Sequence, residues 1–142
     1  MQAVVMCAGI GSRLGDKTAD RPKTMVEANG RPLFHYIWNS LQIEEISNII
    51  VVGGFEFERL SSFVTSLKGK PVRLLKNDKF LLGSIFTVGV ALEHIDSDFI
   101  LMNGDHIHPS AMIRSLAAST SGITCAVDRD RNLTDDDMKV KL

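Results

Sequence analysis

The sequence is poor in cysteine, in net charge and in long apolar runs. Its two cysteines, among 142 residues with a formal net charge of −1, are Cys7 and Cys125. Each lies in an apolar run, so we expect two buried strand residues rather than a disulfide or a metal pair. The near-zero charge argues against the general basic surface of nucleic-acid-binding proteins. Binding of a small anionic ligand is compatible with this net charge, because such a ligand needs only a local cluster of cations.

No apolar run approaches the roughly 20 residues that span a bilayer. The N-terminus has neither the basic stretch nor the long apolar core of a signal peptide. We therefore expect a cytoplasmic protein with no membrane partner. Hydrophobic residues make up 44% and charged residues 23% of the sequence, as in ordinary globular domains. Residues 1–142 are long enough for a single domain with its own core.

Short apolar segments alternate with longer amphipathic ones along the chain. The predicted strands cover residues 3–7, 49–52, 72–75, 99–102 and 123–127, and the predicted helices cover 32–43, 55–67, 84–94 and 111–118. This order predicts an α/β fold of three layers, with a mainly parallel sheet between helices on both faces. Such sheets bind ligands beyond the carboxyl ends of their strands. Residues 138–142 alternate like a strand, and we expect a domain truncated at its C-terminus.

The loop after the first predicted strand indicates a phosphate site. Gly9 and Gly11 allow backbone N–H groups to wrap an anion closely. Cations follow soon after in the sequence: Arg13, Lys17, Arg21 and Lys23. The guanidinium of Arg13 suits bidentate phosphate contact, and Lys23 adds a point charge behind Pro22. A tight turn followed by solvated cations is the alternative, and we favour phosphate binding over it.

Two other phosphate-binding motifs fit this loop poorly. A dinucleotide fingerprint needs a third glycine where Leu14 stands. A P-loop needs glycine directly before its lysine, but Asp16 precedes Lys17, and its carboxylate would repel phosphate. The loop therefore predicts a nucleoside triphosphate site of a different type.

Asp105 follows the apolar run 99–102 at the edge where ligands are expected. A carboxylate there suits Mg²⁺, which usually takes one or two carboxylates together with substrate phosphates. The alternative is an aspartate that caps a turn or the helix near Pro109. His106 and His108 follow Asp105 and are interpreted as rim or structural residues, because no fourth zinc ligand is evident in the sequence.

Together these features predict phosphoryl-type chemistry. Loop amides, Arg13 and Lys23 would hold the triphosphate, and Mg²⁺ on Asp105 would bridge its oxygens. An acceptor phosphate would attack the α-phosphorus in line, and pyrophosphate would leave. Because an anionic phosphate nucleophile needs no general base, catalysis would consist of positioning and charge neutralisation.

The motifs resemble those of the sugar-phosphate nucleotidyltransferase superfamily. MQAVVMCAGIGSRL (1–14), RPKTMV (21–26) and NGRPL (29–33) resemble its opening signature. NDKF (77–80), NGDH (103–106), AVDR (126–129) and DDMKV (136–140) resemble its choline-phosphate and inositol-phosphate cytidylyltransferase-like branch. The resemblance implies a nucleotide-diphospho-sugar transferase (Rossmann-like) fold, Mg²⁺ dependence and transfer to a phosphorylated acceptor.

The resemblance also implies roles for particular residues. Arg13, Lys23 and Asp105 would be catalytic, with Asp105 the metal ligand. The nucleotide-binding residues implied are Ala8, Gly9, Gly11, Ser12, Arg13, Gly83 and Ser84. Members of the branch often carry asparagine at the position of Ser84. The second metal-binding aspartate of the family has no assigned counterpart in this sequence.

Two functional hypotheses follow. The first is an enzyme that transfers a nucleotidyl group from a nucleoside triphosphate to a small phosphomonoester, either a sugar 1-phosphate or an alcohol phosphate such as phosphocholine. The second is a nucleotide-binding module without turnover, since a second metal ligand and an acceptor wall are not identified. The sequence leaves open the base, the acceptor and the oligomeric state, a homo-oligomer included.

Overall fold

The computed structural model describes residues 1–11, 20–119, 122–128, 130, 132 and 134. The strands are β1 (Gln2–Cys7), β2 (Glu27–Ala28), β3 (Arg31–Pro32), β4 (Asn48–Gly53), β5 (Val72–Lys76) and β6 (Phe99–Asn103). The helices are α1 (Leu33–Ser40), α2 (Phe57–Ser66), α3 (Ser84–Leu92) and α4 (Ser110–Ala117). In these ranges, no helix has the length and apolar character needed to cross a membrane.

Four strands form a parallel sheet in the order β5-β4-β1-β6. Cys7 pairs with Gly53, and Gly53 pairs with Lys76, so β1, β4 and β5 end at the same level. Met6 pairs with Asn103, which brings the end of β6 to that level too. The carboxyl ends of all four strands therefore meet at one edge, which we call the carboxyl edge.

Helices cover both faces of the sheet, which confirms the predicted α/β architecture. The larger core lies between one face and helices α1, α2 and α4, whose buried side chains include Phe34, Ile37, Leu60, Val64 and Ile113. The other face carries a smaller cluster under α3, formed by Val4, Ile50, Val52 and Ala91. Because β1 and β4 are covered on both sides, their sequences are nearly continuous apolar runs.

A short hairpin between β2 and β3 was not predicted. Its turn residues, Asn29 and Gly30, have φ of 50° and 71°, the conformation that Asn-Gly favours in two-residue hairpin loops. The hairpin connects to α1, since the Leu33 N–H donates to the Val26 carbonyl at 2.9 Å and the Tyr36 hydroxyl to that of Ala28 at 2.7 Å. Residues 26–28 are thereby held against the start of α1.

The predicted strand over residues 123–127 is wrong. These residues form neither strand nor helix and are exposed, with Ile123 at 96% exposure. Cys125 is exposed as well, contrary to the expectation of burial, whereas Cys7 is buried as predicted. The physical reason is that β-branched, apolar residues favour a strand only when a neighbouring strand accepts them, and the segment pairs with no strand of the described sheet. Residues 138–142 lie outside the described part.

Candidate functional site

Loops from four strands converge on the carboxyl edge. Residues 8–11 follow β1, Gly54 follows β4, residues 77–83 follow β5, and Gly104 with Asp105 follows β6. This placement was predicted from the rule that parallel sheets bind ligands beyond the carboxyl ends of their strands.

Lys23 and Asp105 are in direct contact at this edge. The Lys23 ammonium donates to Asp105 Oδ2 at 2.7 Å, although the two residues are 82 positions apart. Lys23 begins a single 3₁₀ turn, Lys23–Met25, which follows the extended backbone of Pro22. The two side chains are 35% and 27% exposed, so the pair lies partly shielded at the surface. Sequence analysis assigned both residues to one nucleotide but did not predict their contact.

Asp105 is held as a carboxylate by its surroundings. Burial acts to raise its pKa, but the hydrogen bond from Lys23 and the positive charge of His106 outweigh burial and lower it. His106 Nδ1 lies 2.6 Å from Asp105 Oδ1, while Lys23 contacts Oδ2. Both carboxylate oxygens therefore have a nitrogen partner, and the group is ionised at neutral pH.

Gly104 allows Asp105 to reach this position. Its N–H donates to the Met6 carbonyl at 2.8 Å, which ties the chain after β6 to β1. A Cβ at residue 104 would press on Cys7 Sγ and would lie 2.8 Å from both Met6 O and Thr24 Cγ2. Glycine is therefore required at position 104 by packing.

Burial raises the pKa of the Cys7 thiol far above its ordinary value, and the Asp105 charge adds to the rise, so Cys7 stays neutral.

The loop after β1 leaves room for a ligand. Ala8 is buried, and its carbonyl accepts a hydrogen bond from the Phe55 N–H at 3.3 Å. Gly9 is exposed, and a Cβ there would meet nothing within 4 Å. Packing does not demand glycine at position 9, in contrast to position 104, so the open space suits close approach by another molecule. Gly11 has a φ of 74°, which favours glycine.

Several predicted site residues fall in the undescribed segment 12–19. Ser12 and Arg13 lie outside the described residues, as do Leu14, Asp16 and Lys17. Their roles stay predictions.

Arg21 is engaged at the surface rather than at the Lys23–Asp105 contact. Its Nε donates to Asp20 Oδ1 at 2.9 Å. Arg59 also donates to Asp20, at 3.1 Å to Oδ2. Arg21, which sequence analysis grouped with the cations near the phosphate loop, is therefore paired with a carboxylate.

The segment that follows β5 is fixed by Asn77, a buried asparagine in the NDKF motif to which sequence analysis assigned no role. Asn77 is 1% exposed. Its N–H donates to Gly53 O at 2.8 Å, and its side-chain amide donates to Thr87 Oγ1 at 3.0 Å. Its Oδ1 accepts from the Lys79 N–H at 2.8 Å. Asn77 thus joins the ends of β4 and β5 to α3.

Gly83 and Ser84 lie at the start of α3, near the carboxyl edge. Gly83 has a φ of 115°, a backbone conformation that residues other than glycine rarely adopt, and Ser84 is the first helical residue. The helix N-terminus carries a partial positive charge from its unpaired N–H groups.

At Gly54, a Cβ would lie 2.6 Å from Phe80 Cβ and 2.9 Å from Ala8 O. Gly54 therefore lets the segment 77–83 pack closely against the loop after β1.

The histidines beside Asp105 stack on each other. The rings of His106 and His108 are 6.1 Å apart between centroids and nearly parallel, with 5° between their planes. Burial, and then the charge of His106, lower the pKa of His108. Across the described ranges, no group of three or more His, Cys, Asp or Glu side chains could hold a metal ion.

Residues 3–133 match the model of the MobA-like NTP transferase domain family. The chain belongs to this family. The predicted resemblance is thereby confirmed, and the glycine loop, Lys23 and Asp105 lie within the matched range.

Individual relatives are similar over most of this chain but only part of their own length. The UTP–glucose-1-phosphate uridylyltransferase of Haloferax volcanii is 36% identical over 110 residues, which cover 75% of this chain and 44% of the relative. The choline-phosphate cytidylyltransferase of Streptococcus pneumoniae is 28% identical over 122 residues, 84% of this chain and 52% of the relative. The chain spans about a fifth to a half of the length of the curated relatives it matches (21% to 52%).

The fold is also that of a solved relative. The inositol-1-phosphate CTP transferase from T. maritima superposes with a TM-score of 0.74 and 26% identity, over 85% of this chain and 49% of that one. The sheet and helices described above are therefore a nucleotidyltransferase fold, as predicted.

Proposed function

We propose that the protein is a nucleotidyltransferase that moves a nucleoside monophosphate from a nucleoside triphosphate to a small phosphomonoester and releases pyrophosphate. The observation that carries the proposal is the 2.7 Å contact between Lys23 and Asp105 at the carboxyl edge. A cation for phosphate and a carboxylate for metal stand side by side, next to a glycine loop that packing leaves open at Gly9.

The carboxyl edge suits an extended nucleotide. Three inter-strand steps of about 4.8 Å separate β5 from β6, or roughly 14 Å in all. In the arrangement that we propose, the base lies near Gly83 and Ser84, and the phosphates cross the loop of Ala8, Gly9 and Gly11. The α-phosphate then reaches Lys23 and Asp105. Ser12 and Arg13 would complete the phosphate site.

The donor set at Asp105 fits Mg²⁺ that arrives with the nucleotide. Asp105 offers an ionised carboxylate that is 27% exposed, and Mg²⁺ usually takes one or two carboxylates plus phosphate oxygens and waters. The described residues offer no cage of three or more ligands, so the triphosphate would supply most of the coordination. Bound there, Mg²⁺ would neutralise charge that develops on the phosphate oxygens.

Lys23 supplies the positive charge for the reacting phosphate. Its ammonium is 35% exposed and tethered only through the flexible lysine side chain, so it can exchange Asp105 Oδ2 for a phosphate oxygen. This exchange would leave Asp105 Oδ2 available to hold Mg²⁺. An acceptor phosphate is already an anionic nucleophile, so the site needs no general base, and the chain's contribution is positioning and charge.

The named relatives guide the choice of substrates. The names of these proteins give UTP or CTP as nucleotide, and glucose 1-phosphate, choline phosphate or inositol 1-phosphate as the phosphorylated compound. We therefore propose that the substrates are a pyrimidine nucleoside triphosphate and a small sugar phosphate or alcohol phosphate. We also propose that the protein is cytoplasmic.

Pyrophosphate release by the full-length protein tests this proposal. The assay combines Mg²⁺, each of the four nucleoside triphosphates and a panel of sugar 1-phosphates and alcohol phosphates. Asp105→Asn and Lys23→Met are expected to lower kcat by about 100-fold or more, the usual loss when a charge that stabilises the transition state is removed. Asp96→Asn and Lys68→Met change the same residue types at exposed positions away from the carboxyl edge and are expected to keep wild-type rates.

A nucleotide-binding module without turnover is the second hypothesis. The observation that favours it is the single carboxylate at the Lys23 contact, without a ligand cluster in the described ranges. Tight nucleotide binding by the full-length protein, with no pyrophosphate from any acceptor, would support this module and rule out the transferase.

A further inference from the structure

We infer that His106 is a positioning residue, which sets the orientation of the Asp105 carboxylate, and that His108 holds His106 in place by ring stacking. The inference deepens the proposed function and rests on it where catalysis is concerned. The contacts themselves exist without any ligand, and they can be tested without activity.

The Asp105 carboxylate lies in a segment that regular structure does not restrain. Residues 106–109 belong to no helix or strand, and α4 begins only at Ser110. The orientation of the carboxylate therefore depends on its side-chain partners, which are Lys23 on Oδ2 and His106 on Oδ1.

Lys23 and His106, the two partners of Asp105, behave differently in the proposed reaction. Lys23 leaves Oδ2 when its ammonium turns to phosphate. His106 Nδ1 then remains on Oδ1, at the 2.6 Å distance seen here. By keeping Oδ1 occupied, His106 would leave Oδ2 as the oxygen available to hold a metal ion. Hydrogen bonds of this kind, from outside the coordination sphere, orient metal-binding carboxylates.

His108 restrains the ring that makes this contact. His106 is 61% exposed, so its imidazole has little other packing to fix its plane. The parallel ring of His108, 6.1 Å away between centroids, limits rotation of His106 about its side-chain bonds. The stack and the Nδ1 hydrogen bond together select one ring orientation.

The tautomer of His106 tests the contact without nucleotide or metal. Asp105 as a carboxylate only accepts hydrogen bonds, so Nδ1 must carry the proton. ¹⁵N NMR of the full-length protein, about two pH units above the ordinary histidine pKa of about 6.5, is expected to show Nδ1–H at His106. In Asp105→Ala this preference should be lost. An Nε2–H tautomer in the wild type, or no change in Asp105→Ala, would overturn the inference.

Substitutions at His106 test what the contact does. Asn places its Nδ2 one bond from Cγ, where His has Nδ1, whereas Gln places its nitrogen where His has Nε2. His106→Leu and His106→Gln are expected to weaken binding of Mn²⁺ with nucleotide by about tenfold, and His106→Asn to restore most of the loss. His108→Phe should retain the stack and stay near wild type, while His108→Ala should lose part of the affinity.

The controls separate positioning from folding and from the proposed function. All these side chains are exposed or partly exposed, so urea unfolding midpoints should stay at the wild-type value. His94→Leu, a histidine beside the opposite end of β1, should bind like wild type. If His106→Asn is no better than His106→Gln, the inference is wrong. If the wild type binds no metal–nucleotide at all while Nδ1–H is observed, the proposed function fails but the contact stands.

Discussion

Replacing Gly104 by alanine is expected to destabilise the protein and displace Asp105. The new Cβ would lie 2.8 Å from Met6 O and from Thr24 Cγ2, and would press on Cys7 Sγ. Overpacking of this kind costs about 1–3 kcal/mol. Moving residue 104 away also weakens its 2.8 Å hydrogen bond to Met6 O, worth about 1 kcal/mol. The expected loss is therefore about 2–4 kcal/mol of the free energy of unfolding.

Urea unfolding measures this loss directly. With a slope of about 2 kcal/mol per molar urea, the midpoint of Gly104→Ala should fall by about 1–2 M. Gly9→Ala is the matched control, because a Cβ there meets nothing within 4 Å, and its stability should stay within about 0.5 kcal/mol of wild type. Adding Cys7→Ala removes one of the contacts, so the double variant should lose less than the sum of its parts. An unchanged midpoint for Gly104→Ala would refute the packing argument.

Three further predictions concern the glycine loop, the two cysteines and the Lys23–Asp105 pair. Gly9→Ala, although stable, should weaken nucleotide binding by about tenfold or more in calorimetry; unchanged affinity would remove the loop from the phosphate site. Thiol labelling of the native protein should modify Cys125 at once and Cys7 only after unfolding, because burial raises the pKa of Cys7; equal rates would contradict its burial. In wild type the pKa of Asp105 is lowered despite burial, by Lys23 and His106. Lys23→Met should therefore raise that pKa and move the acidic limb of the kcat/KM profile, which reports the free enzyme, to higher pH. A carboxylate whose pKa is lowered by folding stabilises the fold at pH values above its unfolded-state pKa of about 3.9. The difference in unfolding free energy between wild type and Lys23→Met should therefore be present at neutral pH and vanish as the pH falls through the folded-state pKa of Asp105. A difference that persists in acid would contradict the ion pair.

Local patterns carried most of the fold prediction. The apolar runs that became β1 and β4 identify strands covered on both faces, and the alternation with amphipathic segments implies parallel pairing. Parallel pairing in turn places Asp105 and the Gly9 loop at one edge. These deductions need only local sequence and general rules, and the structure agrees with them.

Features that depend on distant parts of the chain could not be derived in this way. The Lys23–Asp105 contact joins residues 82 positions apart, and the crowding around Gly104 depends on how β1 and β6 pack. The segment 123–127 has strand-like composition, but composition does not supply a neighbouring strand. The hairpin turn at Asn29-Gly30 did have a local signal, but its two-residue strands are too short to show alternation.

The most direct test of the account is a crystal structure of the full-length protein with Mg²⁺ and a non-hydrolysable nucleoside triphosphate analogue. We expect the metal on Asp105 Oδ2, the Lys23 ammonium on a phosphate oxygen, and the triphosphate along the loop of Ala8, Gly9 and Gly11. A nucleotide bound elsewhere, with the 2.7 Å contact between Lys23 and Asp105 still intact, would contradict the account.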